Sequence, residues 1–327
     1  MKILICDDST IARKALASNI DPSPNIEIFY AENGKEGLQI LSQHSIDVLF
    51  LDLTMPVMDG FEVLSALPVN SHYTNIIIVS GDIQEKAKQR CFNLGAKGFI
   101  EKPFKKEEIS SLFYEYRIPF LVKSPYLSSV TPAIDVIASI QEISNIALGV
   151  SASLISEQFD RFIDMPLPNV ASLHHSELRM ALQDVVNNSE YRAISQRFVG
   201  NGINGEALVC LHGNDLTELI TTTNETEVTT TNEAILDISN VLVSSFLLSF
   251  SKQLDISISL RQPIVLDTEH LKVALKDKHS FLEDYDKDIF TIEFVYSAES
   301  LDLKCDVIFL MDNDSLDAIK TVLEHLV

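Results

Sequence analysis

Five chemically active side chains stand at the ends of short apolar runs in the first third of the chain. They comprise three carboxylates, a hydroxyl and an ammonium group: Asp7, Asp8, Asp52, Ser80 and Lys102. Crowded carboxylates are costly unless a cation neutralises them, and their hard oxygen atoms suit Mg²⁺. An ammonium group and a hydroxyl beside such a metal site could hold the oxygens of a phosphoryl group. These residue types indicate magnesium-dependent phosphoryl chemistry, provided that the fold brings them together.

The sequence around these residues alternates between strand-like and helical segments. The predicted strands lie at 2–6, 26–31, 46–52, 75–81 and 97–103, and the predicted helices at 9–20, 33–44, 60–67, 84–96 and 105–116. This alternation predicts an α/β fold with a doubly wound, five-stranded parallel sheet. Ligands bind such sheets at the carboxyl ends of the strands, which is where the five side chains fall. Acids that merely cap strand ends or helix starts would explain one or two of them, but not five.

Four motifs within residues 1–117 resemble the receiver domain of bacterial response regulators, which has a flavodoxin-like fold. The motifs are DD at 7–8, LDLTMPVMDG at 51–60, VSG at 79–81 and GFIEKPF at 98–104. The resemblance implies that Asp52 accepts a phosphoryl group from a sensor histidine kinase. Because no member of the motif set is missing, the receiver domain is expected to be competent.

The same resemblance implies a role for each remaining site residue. The magnesium ligands would be Asp7, Asp8, Asp52 and the backbone carbonyl of Thr54. Ser80 and Lys102 would contact the phosphoryl oxygens, and Phe99 would be the aromatic residue that rotates on activation. The Lys102–Pro103 peptide bond is expected to be cis.

Composition and charge limit the remaining possibilities. A chain of 327 residues is long enough for two or three domains. Its net charge of −22 is uneven, with −4 on residues 1–117 and −18 on residues 118–327, which argues against a nucleic-acid partner. No apolar stretch reaches the roughly 18–20 residues of a membrane span, and the run at 240–250 is predicted to be a buried helix. With four scattered cysteines and no signal peptide, the cytoplasm is the expected location.

The second part of the chain contains a repeated motif, EISN at 142–145 and DISN at 237–240, 95 positions apart. Glu142 and Asn145 are three residues apart and therefore share one helix face, as do Asp237 and Asn240. Pro168 and Pro263 keep the same offset of 95. We interpret the constant offset as two copies of one module. The predicted organisation is a linker at 118–132 and an α+β domain at 133–327 with pseudo-two-fold symmetry.

An acid and an amide on one helix face could act on a phosphoryl group. The amide can accept a hydrogen bond from water and donate one to phosphate, so it could hold a water molecule in line for attack. The acid cannot bind phosphate, but it can bind a lysine. A metal site at the adjacent His174 and His175 is disfavoured, since neighbouring side chains point apart and no third ligand is evident.

Residues 133–327 resemble the CheC/CheX/FliY family of chemotaxis phosphatases, whose pattern is Asp or Ser, then Glu four residues on, Asn three further and Pro 23 beyond. The resemblance implies hydrolysis of the aspartyl phosphate of a receiver, with the Asn orienting water and the Glu docking on the receiver's site lysine. Glu142 and Asn145 would form one catalytic site, although Ala138 departs from the pattern at its first position. Asp237 and Asn240 would form the second, where Asp is one methylene shorter than Glu.

Three functions are consistent with these patterns. The preferred one is a response regulator whose output domain dephosphorylates a phosphorylated CheY-like receiver, its own Asp52, or both. The second is a binding module that phosphorylation switches without hydrolysis. The third is a phosphate sink that drains a kinase through Asp52, which leaves the second domain unexplained. A homodimer is a further possible assembly, since both families contain dimers.

Overall fold

The computed structural model describes residues 1–20, 24–67, 74–104, 106–119, 135–173, 191–213, 231–266, 289–298 and 302–326. These residues divide into two compact units, Met1–Ser153 and Leu154–Val327. The predicted linker lies largely outside the described residues, as do His174 and His175. The predicted domain boundaries therefore remain a prediction.

The first unit contains the expected alternation of strands and helices. Its elements are β1 (Lys2–Cys6), α1 (Thr10–Ala17), β2 (Glu27–Ala31), α2 (Gly34–Gln43), β3 (Val48–Leu51), α3 (Gly60–Ala66), β4 (Asn75–Ser80), α4 (Glu85–Asn93), β5 (Gly98–Glu101) and α5 (Lys106–Glu115), followed by the start of α6 (Val136–Phe159). The strands form one parallel sheet in the order β2-β1-β3-β4-β5, which confirms the predicted doubly wound fold. The elements match the predicted segments, with ends that coincide or are shortened by up to three residues.

Both faces of this sheet are covered, and this is why its inner strands β1, β3 and β4 are almost entirely apolar and buried. Along β1, Leu4 and Cys6 pack into one core cluster while Ile3 and Ile5 pack into the other. Successive side chains of a strand point to opposite faces, so a strand with helices on both sides buries every residue. Polar residues are therefore displaced to the strand ends, which places them at the candidate site.

The second unit is rich in sheet. After the end of α6, its described elements are β6 (Ile163–Asp164), β7 (Asn169–Leu173), β8 (Arg192–Gly200), β9 (Ile203–His212), α7 (Thr231–Gln253), β10 (Ser259–Leu260), β11 (Ile264–Leu266), β12 (Ile289–Ala298), β13 (Lys304–Met311) and α8 (Asn313–Leu326). The strands form one antiparallel sheet in the order β10-β8-β9-β13-β12-β6, with β11 also paired to β8 and β7 to β12.

The order of this sheet reflects the sequence repeat. Strands β9 and β13 pair at the centre of the sheet. On one side, β8 follows and carries the edge strands β10 and β11; on the other side, β12 follows and carries the edge strands β6 and β7. Helices α6 and α7 begin 95 positions apart, as do strands β7 and β11. Pro168 and Pro263 each directly precede one of those two strands. These two pairs of elements repeat with the predicted offset of 95.

Several strands of the second unit are short. The apolar run at 256–266 contains two of them, β10 and β11, on either side of Pro263. Proline has no N–H to give to a ladder, so it interrupts a strand. The short strands β6 and β7 were not predicted, because so few residues give no clear alternation.

Helix α7 supplies the core of the second unit. Phe246 is fully buried, and its ring centroid lies 4.6 Å from Phe309, 5.1 Å from Phe294 and 5.6 Å from Phe250. By length and composition, residues Ile235–Gln253 of this helix could also cross a membrane, but 61% of that window is buried within the protein. Core helices of soluble proteins have the same composition, and the burial favours the predicted core role.

Candidate functional site

Three carboxylates form a cluster at the carboxyl ends of β1 and β3. Asp7 and Asp8 follow β1, Asp52 follows β3, and one carboxylate oxygen from each lies within 4.8 Å of the others. The pKa of Asp52 is raised to about 8. Burial is the largest cause, Lys102 opposes it, and the charges of Asp7, Glu142 and Asp8 add to it. Burial and the charge of Asp7 likewise raise the pKa of Asp8 to about 6. The cluster therefore favours either protons or a cation.

Lys102 brings a positive charge to this cluster from the end of β5. Its Nζ lies 2.8 Å from Asp7 Oδ2, 3.1 Å from Asp52 Oδ2 and 3.5 Å from Glu142 Oε1. Burial lowers the pKa of Lys102, but the three carboxylates outweigh it and hold the pKa well above its ordinary range. The ammonium group is thus charged, and the expected cis peptide bond before Pro103 is present.

Arg13, on α1, fixes the turn that carries the first two carboxylates. Its guanidinium donates to the backbone carbonyls of Asp7 at 2.6 Å and Asp8 at 3.1 Å, and to Glu32 Oε1 at 2.7 Å. Arg13 is only 7% exposed. Arg13 was not predicted as a site residue. Its place beside Ala12 and three residues before Leu16, on the buried face of α1, is the sequence signal that indicates a structural role.

The surroundings of Asp52 come from the loop after β3 and from the ends of β4 and β5. The N–H groups of Leu53 and Thr54 donate to Asp52 Oδ1 at 2.7 and 3.4 Å. Ser80 is fully buried, and its hydroxyl accepts from the N–H of Asp82 at 3.1 Å. Phe99 is half-buried, with Lys88 Nζ 5.7 Å from its ring centroid. The predicted roles of Thr54, Ser80 and Phe99 stay predictions.

The start of α6 brings the first motif to this site within the same unit. Glu142 is 9% exposed and makes the 3.5 Å ion pair with Lys102. Asn145 lies three residues further along the helix and is 6% exposed. Its side-chain oxygen is buried and has no hydrogen-bond partner among the described residues. The sequence predicted that Glu142 would contact a receiver lysine; the lysine it contacts is in its own chain.

Two glycines allow the helix to lie this close. A Cβ built on Gly149 would fall 1.7 Å from the carbonyl oxygen of Gly81, in the loop directly after β4. A Cβ on Gly81 would fall 3.2 Å from the carbonyl oxygen of Asn145. The two backbones are therefore in direct contact beside Ser80.

Comparison with known proteins assigns the first unit. The response regulator receiver domain family matches residues 3–113. The N-terminal segment is a receiver domain. A protein-glutamate methylesterase/protein-glutamine glutaminase of Halalkalibacterium halodurans is 39% identical over 106 residues, which are 32% of this chain and 30% of that protein. Hybrid signal transduction histidine kinase E of Dictyostelium discoideum is 37% identical over 106 residues, 31% of this chain and 6% of that protein.

One solved structure is similar to part of this chain. The response regulator domain of Thermotoga maritima CheB is 26% identical, covers 36% of this chain and 93% of that chain, and has a TM-score of 0.32. The chain spans less than a third of the length of the two curated relatives, so their names describe those proteins and not this one.

The donor set of the receiver domain fits a magnesium ion. Three carboxylates from Asp7, Asp8 and Asp52 converge within 4.8 Å, and hard oxygen ligands are those that Mg²⁺ prefers. Burial, together with the neighbouring carboxylates, raises the pKa values of Asp8 and Asp52, so the cluster binds a proton or a cation more readily than exposed carboxylates do. A bound Mg²⁺ would neutralise part of that charge and favour transfer of a phosphoryl group to a carboxylate oxygen.

The second copy of the motif has different surroundings. Asp237 and Asn240 on α7 are both exposed. The side-chain oxygen of Asn240 accepts a hydrogen bond at 2.9 Å from Gln196 Nε2, which also donates to the backbone carbonyl of Arg261 at 2.9 Å. The two predicted catalytic sites therefore differ. The amide oxygen of Asn145 is buried and has no partner in the described part of the chain, whereas that of Asn240 accepts a hydrogen bond from Gln196.

Proposed function

We propose that this chain is a response regulator that is phosphorylated on Asp52 and that hydrolyses its own aspartyl phosphate with Glu142 and Asn145. The observation that carries the proposal is the ion pair between Glu142 and Lys102, 3.5 Å long, in the same buried cluster as Asp52. The proposal develops the resemblance of residues 133–327 to the CheC/CheX/FliY phosphatases. The repeat of the second unit is consistent with that resemblance.

Lys102 can bind Glu142 and a phosphoryl group at the same time. An ammonium group has three N–H donors, and here they face Asp7, Asp52 and Glu142. When Asp52 becomes phosphorylated, the donor aimed at its carboxylate is placed to bind a phosphoryl oxygen instead. The contact with Glu142 is then retained, and it holds the helix at the site during hydrolysis.

Asn145 would act on the attacking water. Its buried oxygen lacks a partner among the described residues and can accept a hydrogen bond from a water molecule, while its NH₂ group can donate to a phosphoryl oxygen. The water oxygen forms a bond to phosphorus as the bond between phosphorus and the Asp52 oxygen breaks. The products are inorganic phosphate, which keeps the protons of the water, and the Asp52 carboxylate. This is catalysis by positioning, without acid–base chemistry from Asn145.

The remaining roles follow from the receiver domain. A histidine kinase is the expected phosphodonor, and Asp7, Asp8, Asp52 and the Thr54 carbonyl would hold Mg²⁺ during transfer. Ser80 would bind a phosphoryl oxygen, and Phe99 would respond to phosphorylation. A cytoplasmic location suits such a partner.

The test is the rate at which phosphoryl is lost from Asp52 in the full chain. The protein is phosphorylated with acetyl phosphate and Mg²⁺, freed of the donor, and followed by separating the phosphorylated and unphosphorylated forms. Asn145→Ala should slow the loss about 10- to 100-fold, because poor positioning of a reacting group can cost about 100-fold in rate. The matched control is Asn240→Ala in the other copy, which should decay like the wild type. Equal rates for Asn145→Ala and wild type would rule out the proposal.

A phosphorylation-switched binding module is the second candidate. The ion pair between Glu142 and Lys102 also supports this candidate. Asp52 is only 1% exposed, so a phosphoryl group on it could displace Glu142 from Lys102 and release the helix. In that case beryllofluoride, a stable mimic of the phosphoryl group, would increase hydrogen exchange at 142–149. Phosphoryl loss would then be unaffected by Asn145→Ala.

A further inference from the structure

We infer that Gly149 is the positioning residue that seats α6 on the receiver domain, and that Ser244 prevents the second copy of the motif from seating in the same way. This inference rests on the proposed function, because it explains how Asn145 reaches the phosphorylation site. It also predicts that only the first copy of the repeat acts on the phosphorylation site.

The distances around Gly149 leave no room for a side chain. A Cβ there would lie 1.7 Å from Gly81 O, 2.2 Å from Gly81 C and 2.8 Å from the backbone N of Asp82. All three atoms belong to backbone, which cannot rotate away as a long side chain can. The loop containing them directly follows β4 and adjoins the buried Ser80. A substitution must therefore move the helix or the loop.

Moving the helix at Gly149 moves the residues that act on the phosphoryl group. Asn145 is four residues before Gly149 and Glu142 is seven before it, so all three lie on one helix face. To restore an ordinary contact of about 3.4 Å, the backbones would have to separate by roughly 1.5–2 Å. A misplacement of about 1 Å can reduce the rate of a positioned reaction 100-fold.

The second copy carries a side chain at the corresponding position. Ser244 is 95 positions after Gly149, in the same register that relates Asn240 to Asn145. If α7 approached a receiver domain as α6 does, the Cβ of Ser244 would meet the backbone at the place of Gly81. Asn240 is also held by Gln196, and Asp237 is one methylene shorter than Glu142. Three differences in one site point to a copy that does not dock on receivers in this way.

The experiment exchanges the two residues in the full chain. Gly149→Ser copies the second motif into the first, and Ser244→Gly makes the reverse change as the matched control. Phosphoryl loss from Asp52 is followed after phosphorylation with acetyl phosphate, together with Asn145→Ala and the double variant Gly149→Ser/Asn145→Ala. Magnesium binding by calorimetry and thermal unfolding report whether each variant keeps its receiver site and its fold.

Gly149→Ser should slow phosphoryl loss as much as Asn145→Ala does, while magnesium still binds the receiver site and Ser244→Gly decays like the wild type. The double variant should be no slower than either single variant, because Gly149 and Glu142 both act by placing Asn145 at the site. A role in stability alone would give independent effects that multiply. If Gly149→Ser does not fold, Gly149→Ala takes its place in the test, because a Cβ alone already clashes with the backbone of Gly81.

The outcomes separate this inference from the proposed function. If Asn145→Ala slows phosphoryl loss while folded Gly149→Ser and Gly149→Ala decay like the wild type, the inference is overturned and the proposed function stands. Multiplicative effects in the double variant also overturn it. If Asn145→Ala itself decays like the wild type, the proposed function fails first.

Discussion

Shortening Glu142 to aspartate is the sharpest test of the contact with Lys102, because it reproduces the residue that the second copy carries. Loss of one methylene withdraws the carboxylate by about 1.5 Å, so the 3.5 Å separation grows to about 5 Å. At an effective dielectric constant of about 20, the attraction between the two charges falls by about 1.4 kcal/mol. Helix α6 then spends less time in its position at the phosphorylation site, and phosphoryl loss should slow by up to about tenfold.

Glu142→Gln extends this test at almost constant side-chain size. It removes the ion pair and leaves an uncharged amide as the partner of Lys102, so phosphoryl loss should be slower than in Glu142→Asp. The expected order of rates is wild type, then Glu142→Asp, then Glu142→Gln. The rates are measured in the full chain at saturating Mg²⁺, since removing a nearby negative charge also weakens metal binding. Asp237→Asn is the matched control and should have the wild-type rate.

The reasoning would be refuted by either of two results. One is that both Glu142 variants lose phosphoryl at the wild-type rate, because the ion pair would then have no part in hydrolysis. The other is that Glu142→Asp is slower than Glu142→Gln, because the rate would not follow the strength of the contact with Lys102.

Three other properties can be measured directly. In metal-free buffer, the raised pKa values of Asp8 and Asp52, about 6 and about 8, mean that the folded state binds more protons than the unfolded state between about pH 4 and pH 8. The stability of the receiver domain should therefore fall as pH rises through that window. In denaturant titrations, Asp8→Asn should reduce this loss of stability by up to about 3 kcal/mol. An equal loss in the wild type and the variant would contradict this. Arg13→Ala should weaken magnesium binding, measured by calorimetry, because the Asp7–Asp8 turn loses two hydrogen bonds to its carbonyls; unchanged affinity would show that the turn is fixed without it. Phe246→Ala should destabilise the second unit by about 3–5 kcal/mol in denaturant titrations while leaving magnesium affinity intact; a cost below about 1 kcal/mol would mean that the aromatic cluster closes over the cavity.

The fold of the receiver domain could be predicted from sequence because each of its elements has a strong local signal. Its strands are continuous apolar runs, since both faces of a parallel sheet are covered, and its site residues stand where those runs end. The positions of Asp52 and Lys102 follow from that pattern alone. Arg13 was missed because the contacts that fix the Asp7–Asp8 turn are to backbone carbonyls, and its place on the buried face of α1 was the signal left unused.

The contact made by α6 could be predicted only in part. The spacing of Glu142 and Asn145 indicated an acid that binds a lysine and an amide that holds water, but not which receiver supplies the lysine. That depends on how closely two backbones approach, which is set by Gly81 and Gly149 together. These glycines are far apart in sequence, and neither stands in a motif that marks such an approach.

The sheet order of the second unit means that neither copy of the repeat is a separable part. The edge strands β6 and β7 of the first copy pair with β12 of the second, and β10 and β11 of the second pair with β8 of the first. The arrangement is that of a strand-exchanged dimer whose two halves have been joined into one chain. A fragment ending at 213 would carry β8 without β10 or β11 and β7 without β12. Once joined, the two halves no longer need identical sequences, so one motif was free to diverge while its strands still completed the other half.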